Sequence, residues 1–165
     1  MMDRMESNAD VIKHLVHGVP AAQAAWKPAP DKWSLLEVMV HLLDEEREDF
    51  RVRVDILLNR PGDPWPPINP TGWVTEREYA KRDLEVSLLE FLEERSHSVA
   101  WLRSLPSPAW DNFDKHPIAG KITAGDIFSS WVAHDFLHIR QLTRLHFNYL
   151  QDQVDPHSLE YAGDW

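Results

Sequence analysis

The sequence predicts an all-α protein, a four-helix bundle with long crossover connections. Three observations carry that expectation. Four segments repeat apolar residues at helical spacing. Two of them open with capping boxes, and no stretch alternates apolar and polar residues strongly enough to compete as a strand. The 165 residues suit one domain, residues 1–165, able to bury a core without covalent staples.

The first helix is expected from about Met5 to Val19, with Val11, Leu15 and Val19 in phase and Pro20 closing it. The second opens at Ser34, whose partner Glu37 completes a capping box, while Trp33 and Val38 stand at hydrophobic-staple spacing. It continues to about Asn59, where Arg60-Pro61-Gly62 stops it. A connection from Pro61 to Arg82 holds five prolines with Trp65, Trp73 and Tyr79. A structureless stretch of that length is either functional or a plain strap between helices. The third helix spans about Leu84 to Leu105, with Leu88, Phe91, Leu92, Val99 and Leu102 on one side and Pro106 beyond. A polar connection containing His116, Pro117 and Gly120 follows. Thr123 with Asp126 caps the fourth helix, Ile122 and Ile127 repeat the staple, and the helix runs to about Tyr149. The tail, ending YAGDW, has no period.

Composition narrows the function classes. With no cysteine there is neither a disulfide framework nor a thiolate metal site, which suits a reducing compartment. The opening MMDRMESNAD is polar and lacks the apolar region of a signal peptide, and no run approaches the roughly 18 apolar residues of a membrane span. A cytoplasmic location without membrane contact is expected. The formal net charge of −10 argues against nucleic acid, whose phosphates require a basic face. Acids and bases interleaved in EEREDFRVRVD are expected to form a solvated helix face. Eight tryptophans fit either ordinary packing or an aromatic-lined pocket.

The chemistry concentrates in AHDFLHIRQL. At about 100° per residue, with His134 at zero, Ile127 and Leu145 fall near 20°, His138 near 40°, Trp131 near 60° and Leu142 near 80°. Both histidines therefore lie within the apolar stripe, while Phe136 and Arg140 point away. On the second helix, with His41 at zero, Val52 falls near 20°, Glu45 near 40°, and Val38 and Ile56 near 60°. Two helices thus aim imidazoles at a common core. A single inward His is usually a packed core residue, but three buried imidazoles are costly without a shared partner, and one cation supplies it. Three imidazoles and no thiolate suit zinc, nickel, copper or iron rather than calcium or magnesium. Three protein ligands with a fourth position open is the catalytic arrangement of zinc. Glu45 is placed to add a ligand or to hydrogen-bond one, and Gln141 is another candidate for that outer role. His14, His17, His97, His146 and His157 have no partner in phase and are expected at the surface or in packing; His116 fits either class.

The stretches KWSLLEVMVHLLDEE, HPIAGKITAGDIF and HDFLHIRQL, in this order and spacing, together resemble the DinB-like superfamily, over about Trp26 to Leu145. The resemblance implies a four-helix bundle with crossover connections, frequently a homodimer, that holds one divalent metal between three histidines matching His41, His134 and His138. Zinc or nickel is the first expectation for that metal and iron the next. Members with an assigned activity include S-transferases and isomerases that use low-molecular-weight thiols.

Three functions follow from these residues and the resemblance. The first is a metal-dependent thiol S-transferase whose partners are a small-molecule thiol and an electrophile, with the Trp-bearing connection shaping the electrophile pocket. The second is a metal-dependent hydrolase with Glu45 as its catalytic base. The third is a dimeric stress-response protein that binds metal or a small molecule without turnover.

Overall fold

A computed structural model describes residues 1–116 and 120–163 of the chain, and of His116 the backbone alone. Pro117 in the second connection and Trp165 in the tail lie outside the described residues. The helices are α1 (Met2–Val16), α2 (Ala21–Ala25), α3 (Leu35–Glu45), α4 (Arg51–Asn59), α5 (Pro70–Glu76), α6 (Leu84–Ser104) and α7 (Ala124–Gln153). A π turn, Glu46–Phe50, makes α3 and α4 one continuous rod. Helix α1 packs on α6 and α7, α3 on α6 and α7, and α4 on α7, so four rods form the bundle. Among the described residues, no helix is long and apolar enough to cross a membrane.

Both capping boxes form as expected. The Glu37 amide donates to Ser34 Oγ at 3.2 Å and the Ser34 amide to Glu37 Oε2 at 2.8 Å. At α7 the Asp126 amide donates to Thr123 Oγ1 at 3.0 Å and the Thr123 amide to Asp126 Oδ2 at 2.9 Å. These bonds satisfy orphan amides and fix where each rod begins, hence the height of every residue along it. All eleven residues of α3 are buried, which explains the near-continuous apolar run around His41.

Four expectations need correction. The buried stripe of α1 is Met5, Ala9, Ile12 and Val16, whereas Val11 is 43% exposed. The chain turns after Val16, before Pro20, and Leu15 and Val19 only lean on the core. A small antiparallel hairpin was not expected: Phe113–His116 pairs with Gly120–Thr123, Phe113 opposite Thr123. Its strands are four residues each and present no apolar face, so they carry no alternating signal. Gly120, at φ +69°, supplies the left-handed backbone that starts the return strand, which delivers Thr123 to its cap.

The third correction concerns the connection from 61 to 82. It holds α5 and a 3₁₀ turn, Tyr79–Lys81, and it straps onto α3. Trp73 and Tyr79 are buried in the core. Tyr79 donates its hydroxyl to Asp44 Oδ2 at 2.6 Å, and Arg77 donates to the same oxygen at 2.8 Å.

The fourth is the segment EEREDFRVRVD. A π turn inserts extra backbone into the helical ladder, so a uniform 100° fails beyond it. Ile56 is buried as expected, but Val54 and Leu57, about 220° and 160° from His41 on a uniform helix, are fully buried too, while Val52 is only half-buried. The charges are not a solvated face either. Arg47 donates to Glu90 and Glu94, and Arg51 to Glu94, pinning the turn to α6.

Glu46 goes deepest. Arg95 of α6, 2% exposed, donates from Nε and Nη2 to Glu46 at 3.0 and 2.9 Å, and from Nη1 and Nη2 to Asp135 of α7 at 2.7 and 2.8 Å. It also donates to the Met5 carbonyl at 3.2 Å. Trp131 Nε1 donates to Glu46 at 2.9 Å and Asn8 to Asp135 at 3.1 Å. One guanidinium therefore touches all four rods. Arg95→Ala leaves two buried carboxylates unpaired and is expected to cost about 3–5 kcal/mol in urea unfolding; a loss below about 1 kcal/mol would show that the cluster is not structural.

Candidate metal centre

Three imidazoles converge where α3 meets α7. His138 Nε2 stands 3.1 Å from His41 Nε2 and 3.0 Å from His134 Nε2. His41 and His138 are 4% and 8% exposed, and His134 is half-buried. Among the described residues these are the three whose ligand atoms form a group suited to one ion, all within 4.8 Å of one another. The structure brings together the three histidines that the sequence singled out, His41, His134 and His138.

Each ring is held from behind. Gln141 Oε1, which can only accept, lies 2.9 Å from His138 Nδ1, so that nitrogen carries the proton and Nε2 keeps its lone pair. The outer role expected for Gln141 is thus filled. Trp33, the staple residue at the start of α3, covers His41 with ring centroids 4.9 Å apart. Phe50, carried by the π turn, meets the His134 ring at 5.0 Å and stacks on Trp131 at 6.0 Å. Neither Trp33 nor Phe50 was singled out as part of the site. A π turn leaves no periodic signature, but the staple did pair Trp33 with Val38, which lies on the His41 face.

The donor set fits a metal ion. Two imidazole nitrogens sharing a tetrahedral ion at about 2.05 Å stand about 3.3 Å apart, close to the 3.1 and 3.0 Å that separate His138 from His41 and His134. Without a cation, the single lone pair on His138 Nε2 faces two imidazoles and is able to accept only one good hydrogen bond. His41 Nδ1 is buried with no hydrogen-bond partner. Burial first, then the neighbouring His138 and His134, pushes His41 down to about 2. Burial, His138 and the Arg95 charge push His134 down to about 3. Burial lowers His138 as well, opposed by its bond to Gln141 and by Asp135. All three are neutral at pH 7, the form that ligates.

Glu45 is placed differently. It is 4% exposed, with one carboxylate oxygen lacking any hydrogen-bond partner, and it does not belong to the ligand group. Burial and the adjacent Asp49 raise it to about 8, so it holds a proton at neutral pH. Asp49 is itself paired with Arg53. The remaining histidines scatter: His17 pairs with Glu85, and His146 bridges Gln23 and the Leu15 carbonyl. His14, His97 and His157 are exposed. The side chain of His116 lies outside the described residues.

A cleft of about 680 Å³ adjoins the centre, and Trp33 and Gln141 line both. The aromatics of the 61–82 connection do not line it: Trp73 is core, and Trp65 borders a separate depression beside Arg53.

Metal bound only by the native state stabilises it by about 2.7 kcal/mol at a free concentration a hundredfold above Kd. Thermal melts with and without zinc or nickel are expected to show that rise in the native protein and none in His138→Ala. The variant should melt near the metal-free protein, less a cavity cost of a few kcal/mol at most. An undiminished metal-dependent rise in the variant would remove His138 from the ligand set.

No curated protein matches the chain. Among solved structures it is similar to YfiT from Bacillus subtilis, described as a probable metal-dependent hydrolase with an unusual four-helix bundle topology. That match has a TM-score of 0.77 at 21% identity and covers 87% of this chain and 82% of YfiT, which supports the shared fold. The family model of the DinB superfamily matches residues 4–142, spanning all four rods and the three histidines, and the chain belongs to that superfamily.

Proposed function

We propose that the chain is a cytoplasmic, metal-dependent thiol S-transferase that joins a low-molecular-weight thiol to a small electrophile. The observation that carries this proposal is the convergence of three imidazole Nε2 atoms, on two buried rings and one half-buried, beside a cleft with which they share two wall residues. A divalent ion held by His41, His134 and His138 supplies Lewis acidity, which favours deprotonation of a thiol or water beside it. The chain's own part is orientation. Gln141 fixes the His138 tautomer, and Trp33 and Phe50 hold the other two rings and keep water from their flanks. In the transfer, sulfur bonds to the electrophilic carbon, the leaving group departs with its electron pair, and the thiol proton passes to solvent. The protein need provide no nucleophile, in keeping with a chain that has no cysteine.

Metal-dependent hydrolysis is the second proposal, and the description of YfiT favours it. It assigns Glu45 the role of general base. A carboxyl raised from 4.5 to about 8 becomes a base only as pH rises through about 8, so a reaction depending on it climbs over that window.

Metal-loaded protein offered chlorodinitrobenzene is expected to turn over only when a thiol is present. Glu45→Gln should change that rate less than about tenfold, whereas loss of a general base costs about 10²–10⁴. Thiol-independent ester or amide cleavage that collapses in Glu45→Gln would decide for hydrolysis. Failure of both reactions in protein shown to hold metal would leave a binding module without turnover.

We also propose a homodimer. Phe136 and Leu150 stand 50% and 49% exposed on α7, away from the cleft, apolar surface that a symmetric contact covers. Light scattering at micromolar concentration should give twice the 19.2 kDa chain mass, and a monomer mass would overturn this.

A further inference from the structure

The cleft beside the histidines has an electrostatic character opposite to that of the chain. Overall, 27 acids stand against 17 lysines and arginines. Yet Lys32, Arg140 and Arg144 all line this one cleft, and no Asp or Glu does. Its remaining wall is mainly apolar, with Trp33, Leu137 and Leu145 prominent. Lys32 does pair with Asp31 at 2.8 Å, but both side chains are more than 60% exposed, and a pair so solvated is weak and easily exchanged. A volume of about 680 Å³ is that of a small-molecule site.

Position gives the cleft its meaning. Arg140 and Gln141 follow His138 on α7 with only Ile139 between, and Lys32 precedes Trp33. Each cationic wall is therefore covalently next to a residue that holds a ligand imidazole or is one turn from it. A molecule anchored on these cations lies against Trp33 and Gln141, the residues behind His41 and His138.

We propose that this cleft binds a small amphiphilic carboxylate, its anionic group held by Arg140 and Lys32 and its apolar body lying on Trp33 and Leu137. The role of that ligand as a substrate rests on the transferase proposal; its binding does not. The side chains are donors on flexible stems at the rim of an apolar floor, which matches a charged end and a greasy body on one ligand. Lysine and arginine here also raise the local concentration of anions that the rest of this acidic surface repels.

The test is binding to the zinc-loaded full chain, read by dye fluorescence. Anilinonaphthalene sulfonate, an anionic aromatic, is expected to bind with one-to-one stoichiometry, and phenylbutyrate to displace it. The methyl ester of phenylbutyrate, which keeps the apolar body and lacks the charge, should not displace it at the same concentration. The Lys32→Gln/Arg140→Gln double variant should weaken the sulfonate by about tenfold or more, while binding of the neutral phenylnaphthylamine changes less than about twofold. Both side chains are exposed, and unchanged circular dichroism and zinc content confirm that the variant is folded. Equal displacement by acid and ester, or undiminished sulfonate binding in the variant, overturns the proposal. If binding behaves as expected and thiol transfer is absent, the cleft stands and the transferase function falls.

Discussion

The bundle depends on one buried guanidinium. Arg95 sits among four rods, with Glu46 and Asp135 each meeting two of its donors and the Met5 carbonyl accepting a further bond. Removing three charges from water is costly, and a well-packed apolar replacement is often as stable as a buried ion cluster. The cluster's value here is directional. Apolar side chains tolerate a rod sliding or turning by a fraction of a helical step. Bidentate bonds to two carboxylates do not, because a shift leaves a charge unpaired in the core. Glu46 follows His41 by five residues and Asp135 is next to His134, so the bond that sets the register of the rods also sets the three imidazoles at contact distance.

This arrangement explains why the π turn lies where it does. Between His41, which faces α7, and Val54 and Leu57 of α4, which packs on α7 as well, the rod must keep one side toward the bundle. A uniform α-helix would turn Val54 and Leu57 away from the side His41 occupies. The wider turn at Glu46–Phe50 absorbs the mismatch, points Glu46 at Arg95 and brings Phe50 against His134. The surrounding charges then serve as fasteners: Arg47 and Arg51 tie the turn to α6 at half-buried positions where each pair is only partly screened.

What the sequence made legible follows the range of the interactions involved. The caps at Ser34 and Thr123 are local, and a few neighbouring residues determine them, so both rods could be phased and three histidines on two of them placed on one core. Long-range pairings left fainter traces. Arg95 does stand in register with Phe91 and Val99 on the apolar stripe of α6, and Asp135 with Phe128 and Leu142 on α7; a charge in such a stripe marks a buried partner without naming it. The hairpin, and the helical turns inside the strap from 61 to 82, were not legible because tertiary contacts create them: Tyr79 and Arg77 act through Asp44, a residue more than thirty positions away. The charge run EEREDF was misjudged as solvated since alternating signs look the same whether the partners are water or another helix.

The centre and the cleft divide the work of stability and chemistry. The imidazoles are held by rods whose register is locked, so little reorganisation is needed when a cation replaces the contacts between their nitrogens. The cleft, in contrast, is lined by long exposed side chains on the outer turns of α7 and on the segment before α3, where ordering is left to the ligand. Gln141 belongs to both: its oxygen orients His138, and its side chain faces the cleft. A ligand that presses on Gln141 therefore acts on the basicity and orientation of a metal-facing imidazole through a single hydrogen bond, while a ligand that never reaches it leaves His138 as it was. Under the proposed function, selectivity need not come from contacts to the ion at all, because the wall proposed to recognise a ligand also carries Gln141, which orients His138.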